Sequence, residues 1–169
     1  MRQIKIIATS GSEIVSTSTA KAYLRVDFSD DDTLIERMIT QARIWCENYI
    51  SRDIVAKTRV YYLPSTNGTF DLPFAPVDSI THVKIDSVVA TYNVLGLNNE
   101  TIELNAGESE KVEVRYITLG MSDDLLKNAI LQLVASYYEN RGDFMVGSTV
   151  NEVPTNVKSI LASLKSMYI

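Results

Sequence analysis

Residues 34–50 read LIERMITQARIWCENYI, and this stretch decides how the first third of the chain folds. Apolar side chains recur there every three or four positions, which is the spacing of one face of an α-helix. These apolar residues are Leu34, Ile35, Met38, Ile39, Ala42, Trp45, Cys46, Tyr49 and Ile50. The pattern predicts a long amphipathic helix over about residues 31–51, with Arg37, Arg43 and Glu47 on its polar face.

A shorter helix and an acidic break precede this long helix. Ser16–Thr19 offers hydroxyl groups that can cap a helix amino-terminus, and residues 20–26 follow as the helix itself. Residues 27–32 are polar, and their last aspartates lie where the amino-terminus of a helix favours negative charge. Further upstream, residues 3–8 alternate weakly and predict a short strand.

The middle of the chain is rich in β-branched and aromatic residues that are separated by turn signals. We expect Pro64 to end the first strand, and Asn67-Gly68 to form a hairpin turn from which the second strand returns. The connections are too short for parallel crossovers, so the pattern predicts a mostly antiparallel sheet or a small barrel. The strand candidates are residues 58–63, 69–72, 80–85, 88–94, 101–104 and 112–117.

Helical spacing returns after the strands. Ser122-Asp123-Asp124 is placed to cap a helix that runs to about Asn140. Residues 142–151 have the composition of a loop. Pro154 suits the first turn of a last helix, which is predicted to reach about Tyr168.

Together these segments predict an α+β fold in one domain over residues 1–169. The amino- and carboxy-terminal helices, about residues 17–51 and 122–168, have apolar stripes that we expect to pack into one helical bundle. An antiparallel β lobe, about residues 56–118, is then inserted between the two pairs of helices.

The composition suits one globular domain, with 46% apolar residues, 22% charged residues and a net charge of −5. This acidic balance argues against a protein that coats nucleic acid, because such proteins need excess Lys and Arg to displace phosphate counterions. The single cysteine excludes an internal disulfide, and no segment reaches the roughly 18 apolar residues of a membrane helix. We therefore expect a soluble intracellular protein with no membrane contact.

The residues that usually carry catalysis are scarce. His82, the only histidine, lies inside a predicted strand, where we expect a surface or half-buried residue, and a metal site with two histidine ligands cannot be assembled. Cys46 lies on the apolar helix face and is interpreted as a buried structural thiol. Asp30–Asp32 lacks the alternating spacing of a calcium loop, and no Gly-rich phosphate loop is present. The sequence thus predicts no catalytic residue, no cofactor and no metal.

Three ordered stretches resemble one family. They are AKAYLRV at residues 20–26 with the acidic residues that follow, LPFAPVDSI at 72–80, and LKNAILQLVASYYENR at 126–141. Each is similar to a motif of the head–tail connector proteins of long-tailed bacteriophages, which are also called adaptor or head-completion proteins. The members in question carry a β insert between their helices.

The resemblance implies a structural virion subunit. Such proteins form a ring of about twelve copies under the portal protein, and the ring also receives a tail-completion protein. DNA passes through the ring without sequence-specific binding. The expected location is the head–tail junction of the virion, with assembly in the host cytoplasm.

Residues on the helices are the candidates for subunit or portal contacts. We expect Arg37 and Arg43 of the long helix to be free to pair with carboxylates of a neighbouring subunit. The other candidates, towards the end of the chain, are Tyr138, Arg141, Leu164 and Tyr168.

The rival interpretation is a soluble, non-enzymatic binding module whose β lobe binds a ligand or nucleic acid. Tyr61-Tyr62 and Tyr137-Tyr138 offer rings on which bases can stack. At strand and helix positions, however, we expect one ring of each pair in the core and the other at an interface.

Overall fold

The computed structural model describes residues 1–140 and 155–165, and the chain divides into two compact units. The β unit consists of Met1–Ser12 and Arg52–Met121. The helical unit consists of Glu13–Ser51 and the described part of Ser122–Ile169. The strand predicted near the amino-terminus therefore belongs to the β unit, which is assembled from two separate segments.

Four helices form the helical unit: α1 (Thr17–Leu24), α2 (Asp32–Ile50), α3 (Asp124–Glu139) and α4 (Thr155–Leu164). Helix α3 packs against each of the other three helices, and α2 also contacts α1 and α4. The predicted packing of the helices from both ends of the chain is confirmed. None of the helices within the described residues is long and apolar enough to cross a membrane.

Local capping explains where the helices begin and end. Helix α1 begins earlier than predicted because the Ser16 hydroxyl accepts the Thr19 N–H at 3.1 Å. It ends before the predicted Val26 because Arg25 takes a left-handed conformation, and the Val26 N–H then bonds the Lys21 carbonyl at 3.0 Å. Helix α3 is capped as predicted, since the Asp123 carboxylate accepts the N–H of Leu125.

One prediction about helix α2 is wrong. Arg43 and Glu47, which periodicity assigns to the polar face, are only 6% and 3% exposed. On the apolar side of α2, Ile35 and Cys46 are among the buried residues, whereas Leu34, Trp45 and Tyr49 are half-buried. The predicted loop at residues 142–151, Pro154 and the predicted last turn towards Tyr168 lie outside the described residues.

Eight strands form the β unit, where six were predicted downstream of the long helix and one upstream. They are β1 (Gln3–Thr9), β2 (Lys57–Thr66), β3 (Thr69–Asp71), β4 (Val77–Ile85), β5 (Val88–Val89), β6 (Tyr92–Leu95), β7 (Thr101–Leu104) and β8 (Ser109–Thr118). One sheet has the order β1-β2-β8-β4-β5 and a second has the order β3-β7-β6. All of the neighbouring strands in both sheets are antiparallel, as predicted.

Three details of the strand prediction are wrong. Pro64 does not end β2, because β1 pairs only as far as Tyr62 and Pro64 then has a neighbouring strand on one side only. The Asn67-Gly68 turn forms, but β3 pairs with β7 rather than returning along β2. The predicted strand 88–94 is divided, since β5 joins one sheet and β6 joins the other.

Alternation along β2 and β8 builds the core of the β unit. Tyr61 and Leu63 face Val114 and Val112 across the strand pair, and all four side chains are buried. Residues from both sheets join this cluster, among them Phe70, Leu72, Val83, Ile102, Leu104 and Tyr116. The two sheets therefore share one hydrophobic core.

Candidate assembly surfaces

The single histidine has a structural environment. His82 lies in β4 with its side chain 22% exposed, and its Nε2 is 3.3 Å from Oε1 of Glu113 on β8. His82 is thus a half-buried strand residue beside a carboxylate of the neighbouring strand. Within residues 1–140 and 155–165, no group of three or more His, Cys, Asp or Glu side chains is placed to hold a metal ion.

Cys46 is buried on α2 and is not exposed at all. Burial, with a smaller contribution from the charge of Glu47, raises the pKa of the thiol to about 12. The thiolate needed for nucleophilic attack is therefore almost absent near neutral pH. The predicted burial of Cys46 is confirmed.

The acidic break links three helices of the helical unit. Lys21 of α1 forms a salt bridge with Asp32, and the Tyr138 hydroxyl of α3 donates to Asp31 Oδ2 at 2.6 Å. Asp31 occupies the amino-terminal cap position of α2 but makes no capping bond with its side chain. The first and third sequence motifs thus meet through Tyr138, which is half-buried rather than free on the surface.

Arg43 lies at the centre of a second ionic network. Its Nε donates to both carboxylate oxygens of Glu13, at 3.0 and 2.8 Å, and its Nη1 donates to Glu47 at 2.8 Å. Burial alone would lower the pKa of Arg43, but the two carboxylates outweigh burial and raise it. The expectation that Arg43 is free to pair with a neighbouring subunit is wrong, because its guanidinium is bound within its own chain.

A third network lies in the β unit around Asp53, which is not exposed at all. Its carboxylate accepts hydrogen bonds from Lys57 Nζ at 2.8 Å, from Arg59 Nε at 2.7 Å and from the Thr118 hydroxyl at 2.7 Å. Burial favours a higher pKa, but the bonds from Arg59, Lys57 and Thr118 lower the pKa of Asp53 overall. This network joins the start of β2 to the end of β8.

The LPFAPVDSI stretch connects the two sheets. Phe74 has a left-handed φ of 62°. The Arg59 guanidinium lies over its ring, 3.7 Å from the ring centroid, in a cation–π contact. The Tyr116 hydroxyl donates to the Pro73 carbonyl at 2.7 Å. The stretch is thus held by residues of β2 and β8, and its role in the chain is structural.

Two of the remaining candidate contact residues lie within the described part of the chain. Arg37 is exposed on α2, and Leu164 is half-buried on α4. Arg141 and Tyr168 lie outside the described residues. Of the tyrosine pairs, Tyr61 is in the core, as predicted for one ring of the pair, and Tyr62 is half-buried, whereas Tyr137 and Tyr138 are both half-buried.

Two surfaces of the β unit were missed by sequence reasoning. Strand β1 is exposed along its whole length, including three isoleucines, and the outer side of β4 borders an open groove. The run IKII in residues 4–7 could have drawn attention to β1, because apolar residues in an edge strand are unusual without a covering element. No comparable sequence signal marks the groove beside β4, because this groove depends on where β5 stops pairing with β4.

The family model described as phage gp6-like head-tail connector protein matches residues 16–113, which is more than half of the chain. No curated protein matches the chain.

Solved structures match nearly end to end. A chain in the neck of an empty GTA particle with C6 symmetry is 16% identical, with a TM-score of 0.77 over 99% of this chain and 97% of that chain. A chain in the virion of a native gene transfer agent (GTA) particle gives a TM-score of 0.75 at the same identity and coverage. A chain in the neck of a native GTA particle with C12 symmetry gives 0.65 at 16% identity, over 96% of this chain and 97% of that chain. At this identity the likeness concerns the fold, and it confirms the predicted α+β class.

Proposed function

Because the chain belongs to the phage gp6-like head-tail connector family, we propose that it is a structural ring subunit connecting the head of a phage-like particle to its tail. The observation that supports this most is the end-to-end likeness to a chain from a particle neck with C12 symmetry. A ring of about twelve copies uses one contact repeatedly, so each subunit needs two different complementary surfaces. The role is structural, not catalytic.

The proposed ring surrounds DNA without reading its sequence. The net charge of −5 disfavours tight binding to phosphates, whereas a passage for DNA benefits from weak contact. The proposed location is the head–tail junction of the virion, with assembly in the host cytoplasm. The proposed partners are the portal protein on one side and a tail-completion protein on the other.

The helical unit supplies the proposed contacts with these partners. Arg37 is exposed on α2 and carries a charge for which the described residues show no ion pair. Leu164 and Tyr138 offer partly exposed apolar surface, and Arg141 and Tyr168, which lie outside the described residues, are the remaining proposed contacts. Arg43 instead fixes the position of α2 against Glu13 and is not part of the proposed contact surface.

Co-assembly with the portal protein tests the proposal. The two full-length proteins are mixed, separated by size and imaged by electron microscopy, and a ring docked on the portal is the expected result. Absence of any complex with the portal protein, at concentrations where both remain soluble, would refute the proposal.

A matched pair of variants tests the contact surface. Arg37→Ala should weaken ring formation or docking, whereas Gln41→Ala, an exposed residue one turn away on the same helix, should not. Deleting residues 152–169 is a poorer test, because α4 buries Val157 and Leu161 completely and its loss damages the helical unit. Equal assembly of the two alanine variants would remove Arg37 from the interface.

A further inference from the structure

The two edges of the five-stranded sheet differ from each other. At one edge, all seven residues of β1 are exposed, and β1 pairs with β2 on one side only. At the other edge, β5 covers only Lys84 and Ile85 of β4. Within the described residues, no strand pairs with the outer side of β4 between Asp78 and His82. Both edges therefore present backbone groups that can accept a further strand.

Strand β1 also carries apolar surface that the chain leaves uncovered. Ile4 lies opposite Tyr61 and Ile6 lies opposite Arg59, so both isoleucines are on the face of the sheet that forms the core. They remain 40% and 47% exposed. Exposed edges are commonly protected by charges or proline, but Lys5 is the only charged residue of β1 and it has no proline.

The outer edge of β4 borders a groove with a volume of about 240 Å³. Its walls come from the first half of β4 and from β6 of the other sheet. The lining residues are Val77, Asp78, Ser79, Ile80, Tyr92, Val94 and Asn99. The groove thus combines an open strand edge with apolar side chains and one carboxylate.

We propose that β1 of one copy of this chain adds to the outer edge of β4 in the next copy, within this groove. The apolar residues of β1 match Ile80 and Val94, and Lys5 matches Asp78, which is the only charged residue of the groove. Strand addition supplies main-chain hydrogen bonds, while pockets for alternate side chains supply specificity.

The direction and symmetry of the contact are also favourable. Every neighbouring pair in the order β1-β2-β8-β4 is antiparallel, so β1 and β4 run in opposite directions. A second copy in the same orientation therefore adds its β1 antiparallel to β4. The donor strand and the acceptor groove are different surfaces on opposite edges of one sheet, as a repeating ring contact requires. The inference rests on the proposed ring and names the contact that closes it.

Paired cysteines test the contact in the full-length protein. Lys5 and Ser79 are both exposed, and the pairing places them on the same face of the sheet, opposite the core. The first double variant is Lys5→Cys/Ser79→Cys. The second, Gln3→Cys/Ser79→Cys, tests a pairing of β1 with β4 that is shifted by two residues. Both double variants are oxidised after assembly on the portal. Cys46 is kept, since it is buried.

The heterologous contact predicts a specific pattern of products. Each chain of a double variant offers both partners, so at least one double variant should give a ladder of dimers, trimers and larger species. A mixture of the two single variants, Lys5→Cys and Ser79→Cys, should stop at dimers. A single variant alone should give no cross-linked species. Cross-linked dimers of Lys5→Cys alone would overturn the inference, because they would show that β1 pairs with β1 of another copy.

Electron microscopy of the same samples separates the two proposals. Rings without a ladder from either double variant would overturn the strand contact and leave the connector function intact. No ring and no complex with the portal would refute the function and, with it, the contact.

A charge exchange gives an independent measurement. Lys5→Glu and Asp78→Lys should each weaken self-association about tenfold, and the combination Lys5→Glu/Asp78→Lys should restore it. Both residues are exposed, so neither change threatens folding. Equal association of all four proteins, including the unmodified chain, would contradict the proposed pairing.

Discussion

Replacing Asp53 by asparagine tests whether the buried ionic network holds the β unit together. The carboxylate accepts two bonds from Arg59, at 2.7 and 2.6 Å, and one each from Lys57 at 2.8 Å and Thr118 at 2.7 Å. The side chains of Lys57 and Arg59 are each only 5% exposed. The change therefore leaves two cations buried while removing a carboxylate to which both are bonded.

The expected cost follows from this burial. Removing one partner of a buried ion pair costs about 3–5 kcal/mol, whereas a whole domain is stable by only about 5–15 kcal/mol. With a denaturant dependence of about 2 kcal/mol per molar urea, the unfolding midpoint should fall by about 2 M. Circular dichroism of the strands during urea unfolding measures this shift.

The lowered pKa of Asp53 also predicts how the effect of Asp53→Asn on stability changes with pH. Because the pKa of Asp53 is lower in the folded state, its contribution to stability is present at neutral pH. That contribution is lost as the pH falls below the usual aspartate value of about 4 and passes through the lowered pKa. The difference in free energy of unfolding between the original protein and Asp53→Asn should therefore shrink below about pH 4.

Two further variants decide whether the reasoning holds. Asp86→Asn removes a carboxylate of the same unit that is 72% exposed and pairs with Lys111, and it should leave the midpoint unchanged. Asp53→Asn/Lys57→Met removes one of the two buried cations and should recover part of the loss. If Asp53→Asn were as stable as Asp86→Asn, the network would not stabilise the fold.

The helical unit provides three further predictions. Arg43→Met removes the guanidinium shared by Glu13 and Glu47 and should lower the unfolding free energy by about 3 kcal/mol. Urea unfolding monitored by Trp fluorescence measures this loss. Tyr138→Phe removes the hydrogen bond to the Asp31 carboxylate and should cost about 1.5 kcal/mol in the same assay. The thiol of Cys46, buried and with a pKa raised to about 12, should resist a thiol reagent in the folded protein and react after unfolding.

The first two of these predictions have a control at an exposed position. Arg37→Met lies on the same helix as Arg43, and Tyr23→Phe changes a tyrosine that is 47% exposed, so both should keep the original stability. Equal losses in a variant and its control would contradict the contact assigned to the buried residue. Rapid modification of Cys46 before unfolding would contradict its burial.

Periodicity predicted the elements of this fold well because most of their residues face either the core or the solvent. The long helix was placed within one residue at each end, and the Asp123 cap of α3 was identified correctly. These features depend on neighbours within about four positions along the chain, which a single sequence displays directly.

The errors occur where distant residues decide the environment. The buried guanidinium of Arg43 is neutralised by Glu13, thirty positions away in the chain, and by Glu47 on its own helix. No helical spacing can show that contact. Asp53, Lys57 and Arg59 were likewise given no role, because two cations and an acid near the start of a strand usually remain in solvent.

Pairing between strands was the least predictable feature. The Asn67-Gly68 signal was read correctly as a turn, but turn geometry does not determine which strand the returning segment will join. Strand β3 pairs with β7 because Phe70 enters the shared core opposite Ile102. The assembly surfaces were missed for the same reason, since an open edge is defined by strands that are elsewhere.

Strand β1 is far from its partner strand β2 in the sequence, and this distance has a consequence for biosynthesis. Gln3 pairs with Tyr62, so β1 leaves the ribosome well before its partner strand, and helices α1 and α2 are synthesised in between. At about 5–20 residues per second, the nascent strand waits roughly 2–10 s for β2. During that interval the exposed isoleucines of nascent chains on neighbouring ribosomes can contact one another. Slower translation of the segment before β2 should therefore increase aggregation of the newly made protein.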